Sequence, residues 1–118
     1  MSVHEHLTVC ERHGVTVIRL LDHRLDDEVD LDSLWRKVSQ LIESEGRKHF
    51  VLDFSLVAFL GSSALGKLIT AHKKVRGVNG MLKLCCICPQ VHEVFSMTKL
   101  DSLFRIEDTE ASAIAAFE

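Results

Sequence analysis

Residues 49–69, HFVLDFSLVAFLGSSALGKLI, hold an apolar strand that runs into one glycine and two serines, with an amphipathic helix following at once. This junction decides the fold class. Residues 49–54 are short and mostly apolar, the pattern of a strand covered on both faces. The spacing after the serines predicts a helix over 63–76. Projected at about 100° per residue, Ala64, Leu65, Leu68, Ile69, His72 and Val75 make an inward stripe, opposite Lys67, Thr70, Lys73 and Lys74. Gly77 is expected to close it. Backbone N–H groups in a first helical turn lack partners and form the positive end of the helix dipole. A serine placed there can cap the helix, act as a nucleophile or carry a phosphate.

Outward from the junction, residues 6–10 and 15–21 read as strands, joined by a short hairpin turn at Arg12-His13-Gly14. Residues 31–45 predict a helix whose inner face is Leu31, Leu34, Trp35, Val38, Leu41 and Ile42, capped by Asp30 and ended by Gly46. On the C-terminal side, 81–88 (MLKLCCIC) is the next strand, and Pro89 starts a helix at 89–98 with Val91, Val94 and Phe95 turned inward. A short strand at 103–106 follows, and Asp108 caps a last helix reaching about residue 117. Single strands separated by helices require crossover connections and hence parallel pairing, while the opening hairpin supplies an antiparallel edge. The expected fold is α/β: a mixed, mostly parallel sheet of about five strands with about four helices, packed mainly on one face. The whole chain, 1–118, is expected to form a single domain.

Bulk properties narrow the function. Hydrophobic residues make up 47% of the chain and charged ones 26%, with a net charge of −3, so no general attraction to nucleic acid is expected. No apolar run reaches the roughly 20 residues of a membrane span, so no membrane insertion is expected. MSVHEHLTV lacks a signal-peptide core, and a cytoplasmic location follows as an expectation. Four cysteines fit that setting. Cys85 and Cys88 spell C-x-x-C, but that spacing on a strand sends the two thiols to opposite faces, so a structural role is expected for them.

Other chemistry finds little support. Leu60-Gly61-Ser62-Ser63-Ala64 is not a G-x-S-x-G elbow, and no histidine is placed as a base, so catalysis is not expected. His4-Glu5-His6 has no third ligand in view, and Gly66-Lys67 lies inside a helix rather than in a phosphate-binding loop. No metal or cofactor is expected. The acidic run from Asp22 to Asp32 reads as a solvated loop and helix start, or more sharply as a protein contact. For the serines, the nucleophile drops out and two readings stay open. A plain cap, favoured by the residues alone, would cost about 0.5–2 kcal/mol to remove. A phosphate, adding roughly −1.5 to −2 charges, would be tolerated by the helix start yet repel a partner.

Phe59-Leu60-Gly61-Ser62-Ser63-Ala64-Leu65-Gly66, between strand and helix, resembles the signature of the STAS domain. More narrowly, it is similar to bacterial anti-sigma factor antagonists, where the segment usually reads F-[ILM]-D-S-[ST]-G-L-G. Val17-Ile18-Arg19-Leu20 with Leu25-Asp26, Cys88-Pro89-Gln90-Val91, and Phe95-x-x-Thr98-x-Leu100-x-x-Leu103-Phe104 continue the likeness along the chain. The resemblance implies a STAS fold and a regulator of transcription that acts by protein binding. Its partner would be an anti-sigma factor that is also a serine kinase, with a phosphatase resetting the mark. Carried over by position, Ser62 is the phosphate acceptor, and Asp26, Gly61, Ser62, Ser63 and Ala64 belong to the partner face. The chain departs from the pattern at Gly61, where the family has an acid, at Ala64, where it has glycine, and at His23, where a glycine usually precedes L-D. The alternative function is an unphosphorylated STAS scaffold, or a cytoplasmic STAS subunit of an ABC-type lipid or solute transport system.

Overall fold

The apolar run at the junction forms β4 (His49–Asp53), the centre of a five-stranded sheet in a computed structural model that describes residues 6–44 and 47–117. On one side β4 pairs in parallel with β2 (Val15–Leu20), and β2 pairs antiparallel with β1 (Leu7–Arg12). On the other side it pairs in parallel with β6 (Met81–Cys85), and β6 with β7 (Arg105–Glu107). The sheet order is therefore β1-β2-β4-β6-β7. The β1–β2 hairpin closes through His13 and Gly14, with φ of 54° and 79°. Two consecutive positive φ values match the twist of the flanking strands, which is why glycine and small polar or His-type residues suit this turn.

Alternation along the strands builds two cores. Ile18, Leu20, Phe50, Leu52, Leu82 and Leu84 face α1 (Glu28–Glu43), α2 (Ser62–Gly77) and α3 (Pro89–Met97) in the larger cluster. Val15, Val17, Val51 and Cys85 face the other way and are covered by Ala113 and Ile114 of α4 (Glu110–Ala115). Three helices on one face and a short one on the other agree with the expected α/β class and mixed sheet.

Several boundaries differ from the sequence reading, each for a local reason. β6 stops at Cys85 rather than Cys88, because Cys86 turns into the left-handed region at φ 61°. α1 begins at Glu28, and the Leu31 N–H already donates to the Asp27 carbonyl at 2.8 Å, so Asp30 lies within the first turn instead of capping it. Gly46 lies outside the described residues. A 3-10 turn at Leu100–Ser102 delays the last strand, so β7 starts at Arg105. The final helix is capped by Thr109, not Asp108. The Thr109 hydroxyl accepts from the Ser112 N–H, and the Ser112 hydroxyl accepts from the Thr109 N–H.

The exit from α2 is set by packing. α2 ends at Gly77, as expected, and the left-handed residue comes two positions later, at Asn79 with φ 62°. Gly80 follows, where a Cβ would lie 2.3 Å from the Lys48 carbonyl oxygen. The next residue, Met81, donates its N–H to that same carbonyl at 2.8 Å, which begins the β4–β6 pairing.

Candidate functional site

The loop leaving β4 is pinned from below before it reaches the serines. Phe54 and Val57 are buried at 0% and 2% exposure, and the Phe54 N–H donates to the Cys85 carbonyl at 3.0 Å. The His23 carbonyl then accepts the Ala58 N–H at 2.8 Å. From there the chain forms β5 (Phe59–Leu60), which pairs in parallel with β3 (Arg24–Leu25) in a small second sheet. Two-residue strands carry no readable alternation, so 24–25 and 59–60 are not legible as elements in the sequence. This pairing brings the acidic loop after β2 against the serine loop.

Gly61 sits at the meeting point. Its N–H donates to the Leu25 carbonyl at 2.9 Å, and a Cβ on it would lie 3.2 Å from the Asp26 Cβ and 3.3 Å from the Leu25 oxygen. With φ −84° and ψ 167°, Gly61 is itself the N-cap of α2, and no side chain caps the helix. Its carbonyl accepts the Ala64 N–H at 3.1 Å and the Leu65 N–H at 3.3 Å. The plain cap expected of a serine is therefore not made. Ser62 and Ser63 are the first two helical residues, both exposed. Ala64 is fully buried, backbone included, so it anchors the helix beneath the surface that Ser62 and Ser63 present.

Asp26 is exposed next to Gly61, and the Arg24 guanidinium donates to its carboxylate at 2.8 Å. The same guanidinium stacks over the Phe59 ring, 4.2 Å from its centroid. Phe59 and Leu56 remain 42% and 46% exposed, so the loop leading into the serines shows apolar side chains, with Phe59 against the Arg24–Asp26 pair. Arg24, Leu56 and Phe59 carry no site role in the sequence reading; the signal lay in two large apolar residues, Leu56 and Phe59, close before the glycine and the serines. On the other flank, the Lys67 ammonium donates to Asp32 at 2.8 Å, tying α2 to α1. That hydrogen bond, followed by the lysine charge, holds the Asp32 carboxyl below its usual range.

The histidine of α2 is not placed as a base for the serines. His72 lies further along α2 with its ring edge-on to Phe104 at 5.2 Å, and its Nδ1 is buried. Burial, then the nearby Arg76, pushes its pKa down. It is a core histidine. The arrangement is an exposed hydroxyl on a rigid helix start, framed by an ion pair and apolar side chains, which suits recognition by another protein.

Comparison with known proteins agrees with this architecture. An anti-sigma F factor antagonist of Paenibacillus polymyxa is 30% identical over 112 residues, covering 92% of each chain. A STAS domain anti-sigma factor antagonist from Planctomyces limnophilus superposes with a TM-score of 0.83 at 23% identity, over 95% of this chain and 97% of that one. The Bacillus cell-fate determinant SpoIIAA in its phosphorylated form gives 0.71 at 22% identity, over 95% and 99%. The STAS domain pattern itself matches residues 8–113, and the chain belongs to the STAS domain family.

Proposed function

We propose that this protein is an anti-sigma factor antagonist, switched by phosphorylation of Ser62. In this reading the unphosphorylated domain binds an anti-sigma factor that is also a serine kinase, and so releases a sigma factor. Phosphate on Ser62 ends the complex, and a phosphatase restores it. The chain acts as a non-enzymatic regulator in the cytoplasm; the kinase supplies the catalysis. Among the described residues, no helix is long and apolar enough to cross a membrane.

The observation that carries this reading is the start of α2. Ser62 is exposed at its first position, the cap is made by Gly61 without any side chain, and Asp26 and Phe59 flank it. The serine hydroxyl is therefore not required for the fold. A phosphate there meets free N–H groups and the positive end of a long helix, so the domain tolerates it. A docked partner does not, since the added charge must be desolvated against its surface. The likeness to the Paenibacillus antagonist supports the same assignment.

The test is incubation of the domain with anti-sigma factor serine kinases from the same genome and ATP, followed by intact mass and site mapping. One phosphoryl group on Ser62 is expected, and none on Ser62→Ala. Ser62→Asp should fold normally while binding the kinase about 100-fold more weakly, a loss of ~3 kcal/mol. Phosphate on Ser63 or Thr98, or unchanged affinity of Ser62→Asp, would overturn the proposal.

A further inference from the structure

The face of the sheet under α4 carries a row of reactive side chains at the strand ends. Register sets Arg19 of β2 beside Asp53 of β4, Asp53 beside Cys85 of β6, and Cys85 beside Glu107 of β7. Asp53 is 1% exposed and Cys85 is fully buried. Had β6 continued, the thiols of Cys85 and Cys86 would point to opposite faces. The left-handed turn at Cys86 cancels that alternation and returns the second thiol to the side of the first. Both Sγ atoms and a carboxylate oxygen of Asp53 lie within 4.8 Å of one another. Glu110, the first residue of α4, is brought to the same group by Arg19, whose guanidinium lies 3.5 Å from the Asp53 carboxylate and 4.0 Å from that of Glu110.

We propose that Asp53, Cys85 and Cys86 bind a thiophilic divalent cation of the zinc class, with Glu110 completing four-coordination. Tetrahedral bonds of about 2.3 Å to sulfur and about 2.1 Å to oxygen place donor atoms about 3.4–3.8 Å apart. The three donors need only a small side-chain adjustment to reach that spacing. Two sulfurs exclude magnesium and calcium, which take oxygen ligands in larger number, and select a softer ion. Charge is also matched. Two thiolates and two carboxylates are opposed by the cation, by Arg19 at 3.5 Å from Asp53, and by Arg12 at 3.7 Å from Glu110. Uptake must displace the thiol protons, so binding tightens as pH rises. The cation would tie the ends of β4 and β6 to the start of α4, which otherwise rests on Ala113 and Ile114. This site is independent of the phosphorylation reading, and either can fail without the other.

The test is titration of the reduced full-length protein with zinc by calorimetry, and with cadmium by the ultraviolet absorption of cadmium–thiolate bonds. One ion per chain is expected, with Cys86→Ser weakening it more than about 100-fold and removing part of the absorption. The double variant Cys10→Ser/Cys88→Ser should bind as wild type. Because a cysteine variant can disturb packing, alkylation of the wild-type protein provides a second readout. Zinc should protect Cys86 from a maleimide while exposed Cys10 reacts at an unchanged rate. No binding, an unaltered isotherm for Cys86→Ser, loss in the Cys10/Cys88 control, or alkylation of Cys86 at the same rate with and without zinc would overturn the site.

Discussion

Gly61 occupies a position where helices usually place a hydrogen-bonding side chain, and the reason is the residue across from it. Asp26 approaches so closely that a Cβ at 61 would crowd its own Cβ at 3.2 Å. Alanine there adds the crowding and supplies no capping oxygen. Gly61→Ala should therefore destabilise the domain by roughly 1 kcal/mol in urea unfolding. A stability equal to wild type would show that the Asp26 loop moves aside freely. The same closeness explains a feature of the sequence that was legible but not interpretable. The departure from an acid at position 61 was visible, whereas its neighbour 35 residues earlier in the chain became visible only through the β3–β5 pairing. An acid at 61 would set a second carboxylate beside Asp26, so glycine here removes a like-charge contact from the partner face.

At the scale of elements, legibility followed length. The hairpin, α1, α2, β4 and α3 each span enough residues for period or turn chemistry to show, and their placement agreed to within a few residues. β3 and β5 are two residues each, below any periodicity, and are defined by backbone hydrogen bonds between distant segments. β6 was overextended because Cys86, Ile87 and Cys88 continue an apolar run, and nothing in residue type announces a left-handed Cys86. The last cap was missed by one position because Asp108 and Thr109 are both good capping residues, and only Thr109 has Ser112 three positions on to reciprocate. The short β5 also makes a functional prediction. Phe59 is half exposed and held by Arg24, so Phe59→Ala should cost the fold less than about 1 kcal/mol. As the aromatic part of the proposed partner face, it should cost binding to the anti-sigma factor about 2 kcal/mol, or about 30-fold. Equal binding by the variant would move the interface away from β5.

For the whole molecule, the sheet divides stability unevenly. The larger core encloses Phe54, Phe95 and Phe104, whose rings meet edge to face at 6.4 and 6.1 Å. The smaller one is closed by a six-residue helix contributing Ala113 and Ile114. Phe95→Ala should cost about 3–5 kcal/mol and Ile114→Ala about 2 kcal/mol in urea unfolding. In native-state hydrogen exchange, α4 amides should open at lower free energy than those of β4. Similar protection of the two elements would contradict this division. The helical stripes and the apolar strands made the larger core legible in the sequence, and the apolar run of β4 pointed to cover on both faces; which helix supplies the second cover was not legible, because α4 is short and brings only Ala113 and Ile114.

The connection out of α2 has a consequence for the gene rather than the protein. At residue 80 the Lys48 carbonyl oxygen occupies the space of any β-carbon, and the same oxygen starts the pairing of the two central parallel strands. No encoded amino acid except glycine lacks that carbon. Every missense base change in this codon therefore drives a wedge between β4 and β6, whatever the chemistry of the new side chain. Codon 80 is a place where only silent changes can accumulate, while the neighbouring codon for exposed Met81 is free to drift.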